Sequence, residues 1–262
     1  MQIATPVSTL FDDPVAAAEI VSLSDCLECR ERNLHHSYLN EHLLHADSSL
    51  IIPWSRDMRG RILKMIRLKS DLKLISFHAA SCFSDPILKD SVFIPGGKPM
   101  SASQMLSHAI RNVKWLRSIL KKGVDIALEN NNYFPTRAYE IVTEGEFLNQ
   151  IITETNIKLL YDIAHGKITC HNLDIHYEDY LNSLPLHKTV QLHLSRPDLS
   201  NRSARDAHEL PDNQLFEEVQ SLTEKYPIRY LTVEYYRDKE GLLSCLKKLK
   251  TIVNSHGPRF SE

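Results

Sequence analysis

The stretch KLLYDIAHGKITCHN, Lys158–Asn172, decides how the rest of the chain is read. It opens on a short, continuously apolar run that suits a strand covered on both faces, as in a parallel sheet, better than a strand with one wet face. The run spans Ile157–Asp162, so a core strand ends on a carboxylate, and an imidazole, His165, follows three residues later. Ionisable groups at the end of a core segment carry a desolvation cost, which calls for a compensating charge.

Moving outward, similar runs occur at Ile3–Thr9, Cys26–Arg30, Leu50–Pro53, Leu72–His78, Val124–Glu129, Thr189–His193 and Arg229–Glu234. Helical periodicity lies between them at Arg59–Leu68, Ala102–Leu120, Gly145–Thr155, Asn213–Lys225 and Lys239–Val253. Thr143 and Glu146 have the spacing of a capping box, and Gly123 stands where a helix should stop before the next strand. Strand–helix alternation repeated about eight times predicts a (β/α)₈ TIM barrel, an α/β fold, forming a single domain over residues 1–262. An open doubly wound sheet is the alternative; it lacks a G-x-G-x-x-G after the first strand, and the chain has only 8 glycines. The closing stretch SHGPRFSE is expected to fray.

Composition narrows the class. A formal net charge of -2 gives no field to hold a phosphate backbone, which disfavours nucleic acid as a partner. No apolar stretch approaches the length of a membrane span, and MQIATPVSTL lacks the basic start and apolar core of a secretory signal, so a cytoplasmic enzyme is expected. Five cysteines do not suggest a disulfide framework. Cys26 and Cys29 form a lone C-x-x-C whose side chains would point to opposite faces of a strand, which suits small packed residues.

The strand ends carry the chemistry. LISFH ends in His78, DIALEN in Glu129 and Asn130, LLYD in Asp162, VQLH in His193 and LTVE in Glu234. In a parallel barrel these ends share the face that carries catalytic residues. Two loops add His165, and Asp206 with His208 in RDAHEL, a pair able to turn the same way from an extended segment. Four carboxylates and four imidazoles at one mouth would cost several kcal/mol per unpaired ion, a cost that bound cations remove. A donor set of oxygen and imidazole without thiolate suits Fe, Mn or catalytic Zn. Arg30, Arg196 and Arg202 are candidates for an anionic substrate or for the wet surface. IPGGKP, with Lys98, reads as a loop, and KKLKTIV as an amphipathic helix with a wet face.

Glu129-Asn130 followed by Tyr133, EGEFL at Glu144–Leu148, LLYDIAH with Asn172 beyond it, YLNSLPL…VQLHLS and DAHELP together resemble the multinuclear non-haem iron oxidases. That family includes the methanobactin-biosynthesis oxidase and belongs to the xylose-isomerase-like TIM barrels; the resemblance runs roughly from Lys73 to Leu249. It implies two or three irons at the barrel mouth and O₂-dependent oxidation of a cysteine-containing peptide or small thiol, with a partner protein that presents the peptide. The metal ligands it implies are His78, Glu129, Asp162, His165, His193, Asp206, His208 and Glu234. The chain departs from the family pattern at His165, where Asn is usual, at HLSR in place of HLAG, and at Tyr235-Tyr236 in place of Trp-Asp. The family's second histidine-bearing strand is not found between His78 and Phe93. DIAH and DAHELP equally resemble the metal-dependent sugar isomerases and the endonuclease IV-type enzymes, in which Glu129 or Glu234 would serve as a base.

Overall fold

Eight strands lie side by side in chain order and close on themselves. They are β1 (Gln2–Pro6), β2 (Cys26–Arg30), β3 (Glu41–Ser49), β4 (Leu74–His78), β5 (Asp125–Glu129), β6 (Lys158–Asp162), β7 (Thr189–Leu194) and β8 (Tyr230–Val233). Every pairing between them is parallel, and β8 closes the ring on β1 through Ile3↔Leu231 and Ala4↔Thr232. This is the expected TIM barrel. The computed structural model describes residues 1–34, 38–69 and 71–255, so SHGPRFSE lies outside the described residues from His256 onward.

The helices cover the outside: α1 (Pro14–Leu23), α2 (Arg56–Leu68), α3 (Ala102–Ile119), α4 (Gly145–Thr155), α5 (Ile163–Leu173), α6 (Tyr177–Ser183), α7 (Asn213–Lys225) and α8 (Lys239–Ser255). Sequence signals fix several starts. Asp13 caps α1 ahead of Pro14 at its first position, Ser55 caps α2, and Ser101 with Gln104 forms a capping box on α3. The box expected at Thr143 and Glu146 does not form. Glu144 is the N-cap without a side-chain bond, and the Thr143 hydroxyl donates instead to the Tyr139 carbonyl. Gly123 takes a φ of +92° in the turn between α3 and β5, a conformation that favours glycine.

Inside the barrel, alternation with period two stacks side chains in layers. The lower layer takes one residue from each strand: Ala4, Cys26, Leu43, Leu74, Ala127, Leu160, Val190 and Tyr230, all buried. Fully burying a leucine or valine contributes about 1.5–3 kcal/mol, so this plug both seals the bore and stabilises the fold. Two residues further along six of these strands the character changes abruptly, to Glu28, His45, Ser76, Glu129, Asp162 and Thr232. A register shift where β7 meets β6 inserts one residue, pairing Leu159 with Thr189 but Leu160 with Gln191. That irregularity aims both Gln191 and His193 at the polar layer.

One strand differs from expectation. Leu50–Pro53 is a turn, and the third strand is Glu41–Ser49, EHLLHADSS. Leu50 is tied down there, its amide donating to the His78 carbonyl, while the Asn112 side chain donates to the carbonyls of Leu50 and Ile52. The run is apolar because it packs in a core turn. The first strand ends at Pro6 rather than Thr9, where a single 3-10 turn begins with Ser8 as its cap.

Candidate metal centre

The polar layer collects at the C-terminal ends of the strands, and register sets its neighbours. Arg30 lies beside His45, His45 beside Ser76, His78 beside Glu129, and Asp162 beside His193. All eight residues expected at the mouth meet there. His78 Nδ1 is 2.8 Å from Glu129 Oε2, while His193 Nδ1 is 3.1 Å from Glu129 Oε1, 3.3 Å from Glu234 Oε1 and 3.8 Å from Asp162 Oδ2. His165 Nδ1 lies 3.8 Å from Glu129 Oε1 and its Nε2 3.6 Å from Asp206 Oδ2. His208 Nε2 closes the ring at 3.1 Å from Asp206 Oδ2 and 3.4 Å from Glu234 Oε2.

Asp206 and His208 reach the mouth from the hairpin Arg196–Asp198/Arg205–Glu209, two residues apart on one strand and so on one face, as expected. His165 sits in the first turn of α5, which follows β6 without a loop. Its Nδ1 is 2.8 Å from the Asn130 carbonyl, which holds the proton on that nitrogen and leaves Nε2 as the lone-pair donor. Asn130 also clamps the strand end, exchanging hydrogen bonds of 2.7 and 2.9 Å with the Asp162 backbone.

Three residues of the mouth lay outside the sequence-based set. Glu28 and His45 are fully buried in it, and Arg30, left open between substrate binding and surface, is an interior ion-pair partner instead. His45 Nδ1 meets Ser76 Oγ at 2.8 Å and its Nε2 lies 2.9 Å from His78 Nε2 and 3.4 Å from Glu129 Oε2. A second histidine-bearing strand thus exists, but it precedes His78. Period-two alternation was the available signal: Glu28 lies two residues before the end of β2, an inward position. By contrast, Arg196 and Arg202 are exposed, with Arg196 paired to Glu209 at 2.7 Å, and Lys98 lies in an exposed loop.

Burial and charge pull the titrations apart. Burial raises the Asp162 carboxyl, and Glu234, Glu129 and Asp206 add to it against His165, bringing it to about 7. Burial would raise Glu28 too, but Arg30 and then His193 outweigh it and hold that carboxyl at about 2. Burial and the Arg30 charge push His45 well below its ordinary value, which leaves a neutral imidazole. His193 is raised, because Glu234 and Glu28 overcome the effect of burial.

The donors fit a metal. Glu129 Oε2, Asp162 Oδ2, His193 Nδ1 and Asp206 Oδ1 are buried without a hydrogen-bond partner, although Asp162 Oδ2 lies 3.8 Å from His193 Nδ1, Glu129 Oε2 2.8 Å from His78 Nδ1, and His193 Nδ1 3.1 Å from Glu129 Oε1. Close but unaligned donors and acceptors are what a shared cation satisfies. Among the described residues three trios place one ligand atom per residue within 4.8 Å of each other: His45, His78 and Glu129; Glu129, Asp162 and His165, which share Glu129; and, separately, Glu28, His193 and Glu234. The five cysteines are free and buried; Cys26 lies in the inner plug and Cys29 in the outer core, on opposite faces of β2. A cleft of about 470 Å³ lined by Lys167, Arg196 and Leu215 flanks the hairpin away from these donors.

A closed parallel barrel with its donors at the C-terminal mouth defines the chain as a TIM barrel, the fold also found in a xylose isomerase domain containing protein. Residues 63–238 match the model of the RiPP precursor modification enzyme family MbnB/TglH/ChrH, and the chain belongs to that family. A UPF0276 protein of Shewanella sediminis is 26% identical over 140 residues, 52% of this chain and 47% of that protein. A second, from Shewanella loihica, is 24% identical over 150 residues, 56% of this chain and 51% of its own length. The chain therefore spans about half the length of the curated relatives it matches. Among solved structures, a xylose isomerase domain containing protein from Salmonella typhimurium LT2 superposes with a TM-score of 0.64 at 10% identity, over 96% of this chain and 97% of that one. The 3-keto-D-glucoside 4-epimerase YcjR of E. coli gives 0.60 at 14%, over 97% and 99%. At these identities they bear on the fold alone. No helix among the described residues is long and apolar enough to cross a membrane.

Proposed function

We propose that the chain is a multinuclear non-haem iron oxidase acting on a cysteine-containing precursor peptide, which a partner protein presents. The observation that carries this reading is the overlap of trios on Glu129, whose two oxygens face different imidazoles. Shared carboxylates suit a cluster better than a lone ion. Membership in a precursor-modifying family supports a peptide as substrate.

Iron would be held by His45, His78, Glu129, Asp162, His165 and His193, with Asp206, His208 and Glu234 around them, and when bound it would supply reduction of O₂ and a seat for a substrate thiolate. The protein's own contribution is order and access. Ser76 fixes the His45 ring and Asn130 fixes that of His165, while the apolar plug excludes water from below. His78, Asp206 and His208 are the partly exposed members, so they form the rim a peptide meets first. The buried Asp162 and Glu129 hold the charge beneath.

Protein purified without air and loaded with iron should consume O₂ with a cysteine-bearing precursor encoded beside it. A site filled only by zinc, and inactive once iron is restored, ends the proposal. Air-independent turnover of a ketose, or cleavage of an abasic-site duplex, would move the same ligands to isomerase or phosphodiesterase chemistry.

A further inference from the structure

Arg30 is a permanent cation inside the mouth, and its position bears on where metal can bind. It ends β2, so its side chain projects inward above Glu28. Its Nη2 lies 2.7 Å from Glu28 Oε1 and also contacts Glu234 Oε1, to which the Tyr236 hydroxyl donates at 3.3 Å. The other Glu28 oxygen accepts from Gln191 Nε2 at 2.5 Å and faces His193 Nε2 at 3.1 Å. The carboxylates of the Glu28–His193–Glu234 trio are therefore already countered by a guanidinium. A guanidinium does not deprotonate in proteins, so unlike an imidazole it cannot become a ligand by losing its proton.

We propose that Arg30 closes the Glu28–His193–Glu234 trio to metal, so that His193 can ligate only through the Nδ1 that faces Glu129 and Asp162. The proposal rests on the metal-dependent reading above and sharpens it. Arg30 serves there as a built-in counter-ion, and Glu234 is left to face His208 through its Oε2, 3.4 Å away. Arg30 is thus a positioning residue that sets how many ions the mouth takes.

The test is metal content per chain after anaerobic loading with Fe(II) and removal of excess, compared among wild type, Arg30→Met, Glu28→Gln and the double variant. Arg30→Met should bind one metal more than wild type, Glu28→Gln the same number as wild type, and the double variant should lose the extra metal. A folded Arg30→Met that gains nothing, or a Glu28→Gln that loses a metal, overturns the proposal. If Arg30→Met fails to fold, Glu28→Gln decides alone, since unchanged metal content supports the closed trio. A wild type that binds no iron is a separate result, seen before any variant is compared. It removes the metal reading, and this inference with it.

Discussion

Asp162 divides its two oxygens between His165 and the barrel mouth. Oδ1 accepts from the His165 backbone amide at 2.7 Å and caps α5, whereas Oδ2 is buried without a hydrogen-bond partner, 3.8 Å from His193 Nδ1. Capping and ligation are usually weighed as rival explanations of a strand-end aspartate. Here the same carboxylate has the geometry for both.

The two roles separate by substitution. Asp162→Asn keeps a good cap and should leave the melting temperature within a few degrees of wild type, while losing at least one metal per chain. Asp162→Ala should lose the metal and also about 1 kcal/mol of helix stability. Metal analysis and thermal melts on both variants check this, and full metal occupancy in Asp162→Asn removes Asp162 from the ligand set.

Ser76 should matter to a metal it does not touch. Its hydroxyl meets His45 Nδ1 at 2.8 Å, orienting the ring so that Nε2 faces His78 and Glu129. Ser76→Ala is expected to weaken binding of one metal by roughly 10–100-fold. His45→Ala should abolish that binding. Titration with Co(II), read by its visible absorption, distinguishes the two, and identical titrations for wild type and Ser76→Ala would show that the hydroxyl is dispensable.

The cysteines should be silent. Burial pushes the Cys26, Cys29 and Cys245 thiols from 9.0 up to about 12. A raised thiol keeps its proton in the folded chain after the unfolded chain has lost it, so this contribution to stability is intact below pH 9 and declines as pH rises toward 12. Native protein at pH 8 should therefore resist iodoacetamide and become alkylated at all three positions once denatured. Mass spectrometry of the two samples gives the answer, and rapid labelling of native Cys29 would contradict its burial.

What the sequence made legible follows from chemistry at particular residues. Strands β4, β5 and β6 end in His78, Glu129 and Asp162, β7 carries His193 one residue before its end, and Glu234 follows β8, so runs of apolar residues stop close to the layer where donors begin. The strand β3 hid because EHLLHADSS spends inward and core-facing positions on polar groups with private partners. Glu41 is paired with Lys69 at 2.6 Å and His45 is held by Ser76. The helix α5 hid for the opposite reason. Most of it is buried, from Ile163 to Cys170, so it lacks the one-sided period of a surface helix. Glu28 is invisible at the strand end because it lies two residues inside β2, on the inward face that recurs every second residue.

The last prediction concerns His165, where the family pattern has Asn. The ring donates through Nδ1 to the Asn130 carbonyl and offers Nε2 toward Asp206, so it is aimed as a ligand and pinned from behind. His165→Ala should lose one metal per chain while the barrel remains folded, because the apolar layers rather than the mouth carry its stability. His165→Asn should hold that metal more weakly than wild type but better than the alanine variant, since an amide oxygen is a poorer donor than imidazole for iron yet still a donor. Metal content at matched free Fe(II), with far-ultraviolet circular dichroism to confirm folding, ranks the three proteins. Equal occupancy in wild type and His165→Ala would place His165 behind the ligands, as a residue that only orients Asp206.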